Sequence, residues 1–115
     1  MIISRTPFRI SLFGGGTDYP KWYNNHKGCT INATINKYCY ITTRYLPPFF
    51  NYKHRIVWSK NETVNNVNEI IHPTVRSVLN LMKITKGLEI HYQGDLQKNS
   101  GLGTSSSFCV GLFNA

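Results

Sequence analysis

Residues 100–107, Ser-Gly-Leu-Gly-Thr-Ser-Ser-Ser, follow a segment of alternating polarity at 88–92 and precede a mostly apolar run at 108–113. A chain with that order has to pass from a strand, through a loop of unusual backbone freedom, into a buried helix. Gly101 and Gly103 permit positive φ and a close approach of the main chain to a ligand, so successive amides can aim at one anion. Thr104, Ser105 and Ser106 then fall where the unpaired amides and the positive dipole end of the helix favour phosphate. Hydroxyls in that place can cap the helix, touch phosphate oxygens, or ligate a magnesium ion that bridges two phosphates. No Gly-Lys-Ser/Thr follows the glycines, which excludes the P-loop, and no G-x-G-x-x-G opens an early parallel βαβ unit, which excludes a dinucleotide fingerprint. A flexible loop with plain Ser/Thr capping is the competing reading.

A second constellation lies near the start, in RTPFRISLFGGGTDYP at residues 5–20. RISLF at 9–13 alternates as a strand with one buried face does. Gly14, Gly15 and Gly16 end it, and Asp18 follows in a tight loop. A carboxylate presented among glycines suits sugar hydroxyls, and Arg9 suits an anion or the orientation of that carboxylate. An ordinary strand-turn with a solvated Asp and a surface Arg is the alternative. From 29 to 45 the odd positions are mostly apolar, while Asn36 and Lys37 break the register and predict a turn or bulge between two strands. Pro47 and Pro48 predict a loop or irregular edge after it, and RIVWS at 55–59 resumes a strand. Pro73 opens a helix whose Val75, Val78, Leu79 and Met82 recur at i, i+3, i+4 and i+7, with Gly87 placed to end it as a left-handed cap. From 105 onward the chain reads as the first turns of a buried helix that no cap residue closes.

Composition adds one pointed fact. Thirteen Lys+Arg against five Asp+Glu give a formal net charge of +8 over 115 residues, which favours anionic partners such as nucleic acid, a phospholipid surface or a phosphorylated small molecule. The chain is long enough for one folding unit that buries roughly two thirds of the surface of its unfolded form. Cys29, Cys39 and Cys109 form no CxxC pair and have only His26 near them in sequence, so they read as buried thiols in a reducing compartment rather than as a metal site. No basic-then-apolar leader and no membrane-length apolar run stands in the sequence, so a cytoplasmic location and no membrane partner are expected. The glycosylation-type triplets at Asn32 and Asn61 are then accidental. Oligomeric state is not legible.

Together the two constellations resemble the GHMP kinase superfamily of galactokinase, homoserine kinase, mevalonate kinase and phosphomevalonate kinase. Pro7, Arg9, Gly14, Thr17 and Asp18 match its first motif, and SGLGTSSS matches its second. Within the superfamily the heptose 7-phosphate kinases are the most similar, through residues 5–20 and through KYCYITTRYLPPFF at 37–50. The resemblance implies an α+β fold, a mostly antiparallel sheet with helices packed on one face, of the kind also found in ribosomal proteins. It implies that residues 1–115 are the N-terminal part of the ATP-binding domain. The C-terminal domain, the catalytic aspartate and its lysine, and a third glycine-rich motif would lie beyond residue 115, so no catalytic residue is expected within the chain and the fragment alone should be inactive.

For the site, the resemblance implies ATP held by Ser100, Gly101, Leu102, Gly103, Thr104, Ser105, Ser106 and Ser107, with Ser105 as a ligand of Mg2+. Substrate would meet Arg9, Gly15, Gly16, Thr17 and Asp18. Galactokinases carry glutamate and histidine where this chain has Gly15 and Gly16, so a larger sugar is expected, and the positive charge suits one that already carries phosphate. Arg44, Lys53, His54 and Arg55 are the candidate holders of that phosphate, against the alternative of a solvated basic edge. The implied reaction is transfer of the ATP γ-phosphoryl group to the anomeric hydroxyl of a heptose 7-phosphate, giving the 1,7-bisphosphate for nucleotide-activated heptose synthesis. Another small-molecule kinase of the superfamily, galactokinase-like or fucokinase-like, is an alternative. A basic nucleic-acid-binding module, with NYKHR and TTRYLPPFF as its closest basic-aromatic segments, ranks below the kinase because it leaves both glycine motifs unexplained.

Overall fold

The computed structural model describes residues 1–97 and 100–115. Among these, β1 (Ile2–Phe13), β2 (Ile31–Tyr45), β3 (His54–Val57), β4 (Asn61–Val64) and β5 (Leu88–Gly94) form one sheet in the order β1-β2-β5-β3-β4. Three pairings are antiparallel and β3 runs parallel to β5. A short helix α1 (Pro20–Tyr23) follows a 3-10 turn at Gly15–Asp18, whereas α2 (Pro73–Leu81) and α3 (Thr104–Phe113) cover the sheet. The α+β architecture with a mostly antiparallel sheet is the one the sequence led us to expect.

Alternation decides which face is covered. Cys39, Ile41 and Thr43 of β2 and Ile90 of β5 are buried together with Val75, Val78 and Leu79 of α2 and Phe108 and Leu112 of α3. Each large aliphatic or aromatic side chain so buried is worth about 1.5–3 kcal/mol against leaving it in water. Burial pushes the Cys39 thiol up to about 11, so it is inert at neutral pH, but Cys29 is exposed and Cys109 only half-buried. The expectation of three buried thiols therefore holds for one of them.

Residues 31–45 make one strand and not two. Pro7 pairs with Tyr38 and Arg9 with Thr34, so two residues of β1 span four of β2, and Asn36 and Lys37 sit in that bulge. Asp95 pins it: its carboxylate accepts from the Tyr38 amide at 2.8 Å, and its own amide donates to the Tyr38 carbonyl at 3.0 Å. Beyond Cys39 opposite Gly94, β2 leaves β5 and continues with β1 alone as a two-stranded ribbon whose tip carries the turn at 14–18.

Helix α2 ends earlier than the glycine suggested. Lys83 takes the left-handed conformation, φ 54°, its amide bonding to Asn80 at 3.1 Å and the Ile84 amide to Leu79 at 3.0 Å. This is a Schellman closure with lysine in the glycine position. Gly87 instead opens β5, its carbonyl accepting from Leu46. Helix α3 is closed by Asn114, whose side-chain amide donates to the Val110 carbonyl at 2.7 Å. The hairpin β3–β4 and the capping box of Asn66 and Glu69 were not read from the sequence.

The uncovered sheet face carries one buried carboxylate. Glu89 stands opposite Arg44 on β2 and Arg55 on β3; it accepts from Arg44 Nε, from Arg55 at 3.1 Å and meets His91 Nε2 at 3.0 Å. Burial alone would raise its pKa, but the hydrogen bonds from His91 and Arg44, with the charges of those same groups, outweigh it and hold Glu89 below its ordinary 4.5. A depressed carboxylate contributes stability that is present above the unfolded value and lost as pH falls through the folded one. Glu89→Gln should therefore flatten the loss of stability in urea below pH 4.5, and an unaltered acid limb would show that this network does not govern acid unfolding.

Candidate functional site

Two segments remote in sequence meet at the root of the β1–β2 ribbon. The Arg9 amide, on the free edge of β1, donates to the Leu102 carbonyl at 3.1 Å. Gly103, at φ 72°, lies against the Arg9 side chain so tightly that a Cβ there would stand 2.9 Å from Arg9 Cγ. Arg9 is held in turn by Asn32, whose Oδ1 accepts from NH1 at 2.8 Å. Arg9 of the first motif thus meets the glycine loop of the second.

Within the glycine loop the hydroxyls divide by task. Ser107 is buried and donates to the Pro7 carbonyl at 3.0 Å, and Ser106 donates back to Gly103 at 2.9 Å. Both were expected at phosphate, and both are spent on the fold. No side chain caps α3, whose N-cap is Gly103, so the Ser/Thr capping alternative is not what the structure shows, and the first-turn amides stay available for an anion. Thr104 and Ser105 line a cleft of about 240 Å³ whose other walls are Trp58, His72, Pro73, Thr74, Tyr92 and Phe108. Ser100 and Gly101 are exposed beside the loop, and Leu102 is half-buried. Among the described residues no group of His, Cys, Asp and Glu could hold a metal ion by itself. A serine or threonine hydroxyl in such a place could supply one oxygen ligand to a magnesium ion otherwise held by phosphate and water, as in P-loop enzymes.

At the ribbon tip Thr17 is structural. Its hydroxyl donates to the Gly14 carbonyl at 2.7 Å and accepts from the Cys29 amide at 3.1 Å, stapling the turn to the start of β2. Gly14 is required there: φ is 78°, and a Cβ would fall 1.9 Å from the Cys29 carbonyl oxygen. Gly16 is different, since a Cβ would meet nothing within 4 Å, and at Gly15 the nearest atom would be Ser11 Oγ at 3.0 Å. The missing side chain at 16 therefore leaves space, whereas one at 15 would need Ser11 to give way. Asp18 is exposed, and among the described residues no hydrogen bond or ion pair engages its carboxylate.

The basic residues do not join this place. Arg44 stands ten residues along β2 from Thr34, the partner of Arg9, roughly 30 Å away at about 3.3 Å per residue. Arg44 and Arg55 are committed to Glu89. His54 is buried, accepts from the Leu88 amide through Nδ1 at 3.4 Å, and has its basicity lowered by that burial and by Lys53. Lys53 is exposed in the connection before β3. The substrate-phosphate role expected of these four residues is not supported by their position. What the sequence did not reveal is the aromatic wall of the cleft, because Trp58, His72, Tyr92 and Phe108 come from four separate elements. The only trace of it was an aromatic just past a strand end.

No protein-family model matches the chain. A D-glycero-alpha-D-manno-heptose 7-phosphate kinase of Campylobacter jejuni is 28% identical over 123 residues, which take in 99% of this chain and 36% of that enzyme. A solved structure described as a D-glycero-D-manno-heptose 1-phosphate kinase from Bacteroides thetaiotaomicron matches 98% of this chain and 40% of its own, with a TM-score of 0.79 and 25% identity. A mevalonate kinase structure matches 98% of this chain and 38% of its own, with a TM-score of 0.68 and 18% identity, and so bears on the fold alone. This chain spans 36–40% of the length of its relatives.

The junction of loop and ribbon can be probed through its two left-handed glycines. Gly101→Ala, at φ 73° in open space, should cost only the left-handed penalty of about 1–2 kcal/mol. Gly103→Ala should cost more, and Arg9→Ala should remove the excess in a double-mutant cycle on urea midpoints. Equal costs that Arg9→Ala leaves unchanged would mean that Arg9 and Gly103 are not packed together.

Proposed function

We propose that this chain, which resembles the GHMP kinases in sequence and in fold, serves an enzyme that transfers the γ-phosphoryl group of ATP to the anomeric hydroxyl of a heptose 7-phosphate. The observation that carries the reading is the Arg9–Leu102 junction, which joins a phosphate-type helix start to the root of the ribbon whose tip carries the glycine turn and the unengaged Asp18 carboxylate. Phosphoryl transfer needs two ligands held on one frame, since the reaction depends on positioning and charge neutralisation more than on covalent chemistry. The kinase names of the relatives support the same class.

In this reading the amides of residues 101–106 and the hydroxyls of Thr104 and Ser105 bind the nucleotide phosphates, Ser105 also facing the metal. The aromatic cleft takes the base. Asp18 accepts hydrogen bonds from sugar hydroxyls, and Arg9 orients the acceptor and balances charge. The acceptor oxygen bonds to the γ-phosphorus as the bond to the β-γ bridging oxygen breaks and ADP leaves. The base that takes the hydroxyl proton is expected from outside residues 1–115. Openness at Gly16 favours an acceptor bulkier than galactose.

Full-length protein should use a heptose 7-phosphate far better than unphosphorylated heptose or galactose. With the holders of the extra phosphate expected outside residues 1–115, two charge-assisted hydrogen bonds to it would be worth about a hundredfold or more in kcat/KM. Equal rates with galactose would leave a kinase but not a heptose kinase, and preference for the heptose 1-phosphate would move the transfer to another hydroxyl. In the same assay Asp18→Asn should raise the sugar KM with little change for ATP, and Ser105→Ala should lower kcat at saturating Mg-ATP. Equal loss toward both ligands in the first variant would point to unfolding, and an unchanged kcat in the second would remove Ser105 from its role.

A further inference from the structure

The aromatic wall of the cleft stands on one carboxylate. Glu62, on β4, is 5% exposed. Its Oε1 accepts from Trp58 Nε1 at 2.7 Å, and its Oε2 accepts from the Ile71 amide at 2.7 Å. Trp58 meets His72, the residue after Ile71, edge to face with centroids 4.8 Å apart, and His72 lies 5.0 Å from Phe108. One oxygen therefore holds the Trp58 ring and the other the backbone just before His72, whose own ring accepts from the Val75 amide at 3.4 Å. Charge-assisted bonds of this length are among the stronger ones a protein makes, and a buried carboxylate that lost either donor would carry an unmet desolvation cost. Trp58 and the 71–72 backbone cannot shift without breaking one of them.

We propose that Glu62 is a positioning residue for nucleotide recognition: without touching the ligand, it holds Trp58 and the 71–72 backbone as a preformed slot for a planar heteroaromatic base. The proposal rests on the nucleotide reading given above. The aromatic residues Trp58, His72, Tyr92 and Phe108 line the cleft together with Thr104 and Ser105, so the chemistry it offers is ring contact and hydroxyl contact to phosphate in one place. A slot fixed in advance spares the ordering cost that a loose aromatic cluster would incur on binding. On this argument Glu62 governs affinity for the base and leaves affinity for the phosphates alone.

Calorimetric titration of the full-length protein with Mg-ATP and with magnesium tripolyphosphate separates the two. Glu62→Gln keeps shape but turns an amide NH2 toward one of the two donors. It should weaken ATP about tenfold, the scale of one hydrogen bond to a charged group, while tripolyphosphate affinity stays the same. Trp58→Phe keeps a ring and removes the indole N–H; it should also weaken ATP selectively, and the double variant should bind ATP less weakly than the two losses multiplied would give. Equal weakening toward both ligands, or unchanged ATP affinity in either single variant, overturns the proposal. If Glu62→Gln does not fold, Trp58→Phe alone decides in the same way. Parent protein that binds ATP no better than tripolyphosphate overturns the nucleotide reading itself, and the proposal with it.

Discussion

Helix α3 lies so near β1 and β2 that hydroxyl groups bridge the contact. Ser4 donates to the Gly111 carbonyl at 2.7 Å, Ser107 to Pro7 at 3.0 Å, and Thr43 to Ala115 at 2.8 Å. At Gly111 a Cβ would stand 2.9 Å from Thr6 Oγ1, which is why the helix can come this close. Three short polar contacts spaced along the helix fix its axis and its rotation together, something apolar packing alone does less sharply because it is non-directional. Once α3 is fixed, its first turn and the loop before it have one place to go, and that place is the edge of β1 at Arg9. The site follows from the docking.

Charge is distributed to a different end. The network of Arg44, Arg55 and His91 around Glu89 occupies the uncovered face of the sheet, in a molecule 52 Å along its longest dimension. Two guanidiniums that share one buried carboxylate are part of the sheet's own electrostatics, and replacing that carboxylate would leave them repelling one another across neighbouring strands. The net charge of +8 thus says little about where an anion binds. A count of cations records neither their partners nor their distance from a site, and both are set by strand register.

The same limit explains what was legible in the chain. Strand alternation gave β2 and β5 and the i, i+3, i+4 spacing gave α2, and the two glycine motifs marked the turn at 14–18 and the loop before α3, because each of these signals is local. Asn36 and Lys37 marked an irregularity correctly, but whether a broken register turns the chain or bulges it depends on the partner strand and on Asp95, which lies far along the sequence. Gly87 looked like a helix cap because glycine fits that place best; Lys83 closes the helix instead, at a cost of about 1 kcal/mol. Ser106 and Ser107 looked like phosphate ligands because their neighbours do. Which hydroxyl faces the cleft and which faces β1 is decided by helix rotation, and three serines in a row carry no record of it.

The glycines of the two motifs show how such a site can keep its frame while changing its ligand. Gly14 is fixed by a carbonyl that occupies the room a side chain would need, and Gly103 by its left-handed backbone and the Arg9 stem. Neither position can vary without moving the chain. Gly16 has an ordinary backbone and open space around it, so side chains of several sizes could stand there with the turn undisturbed. Frame-setting Gly14 and space-setting Gly16 stand two residues apart, and in sequence they look alike. Side-chain size at the tip of the ribbon can therefore change without loosening the junction at its root, since the Thr17 staple to Cys29 and Gly14 isolates one from the other.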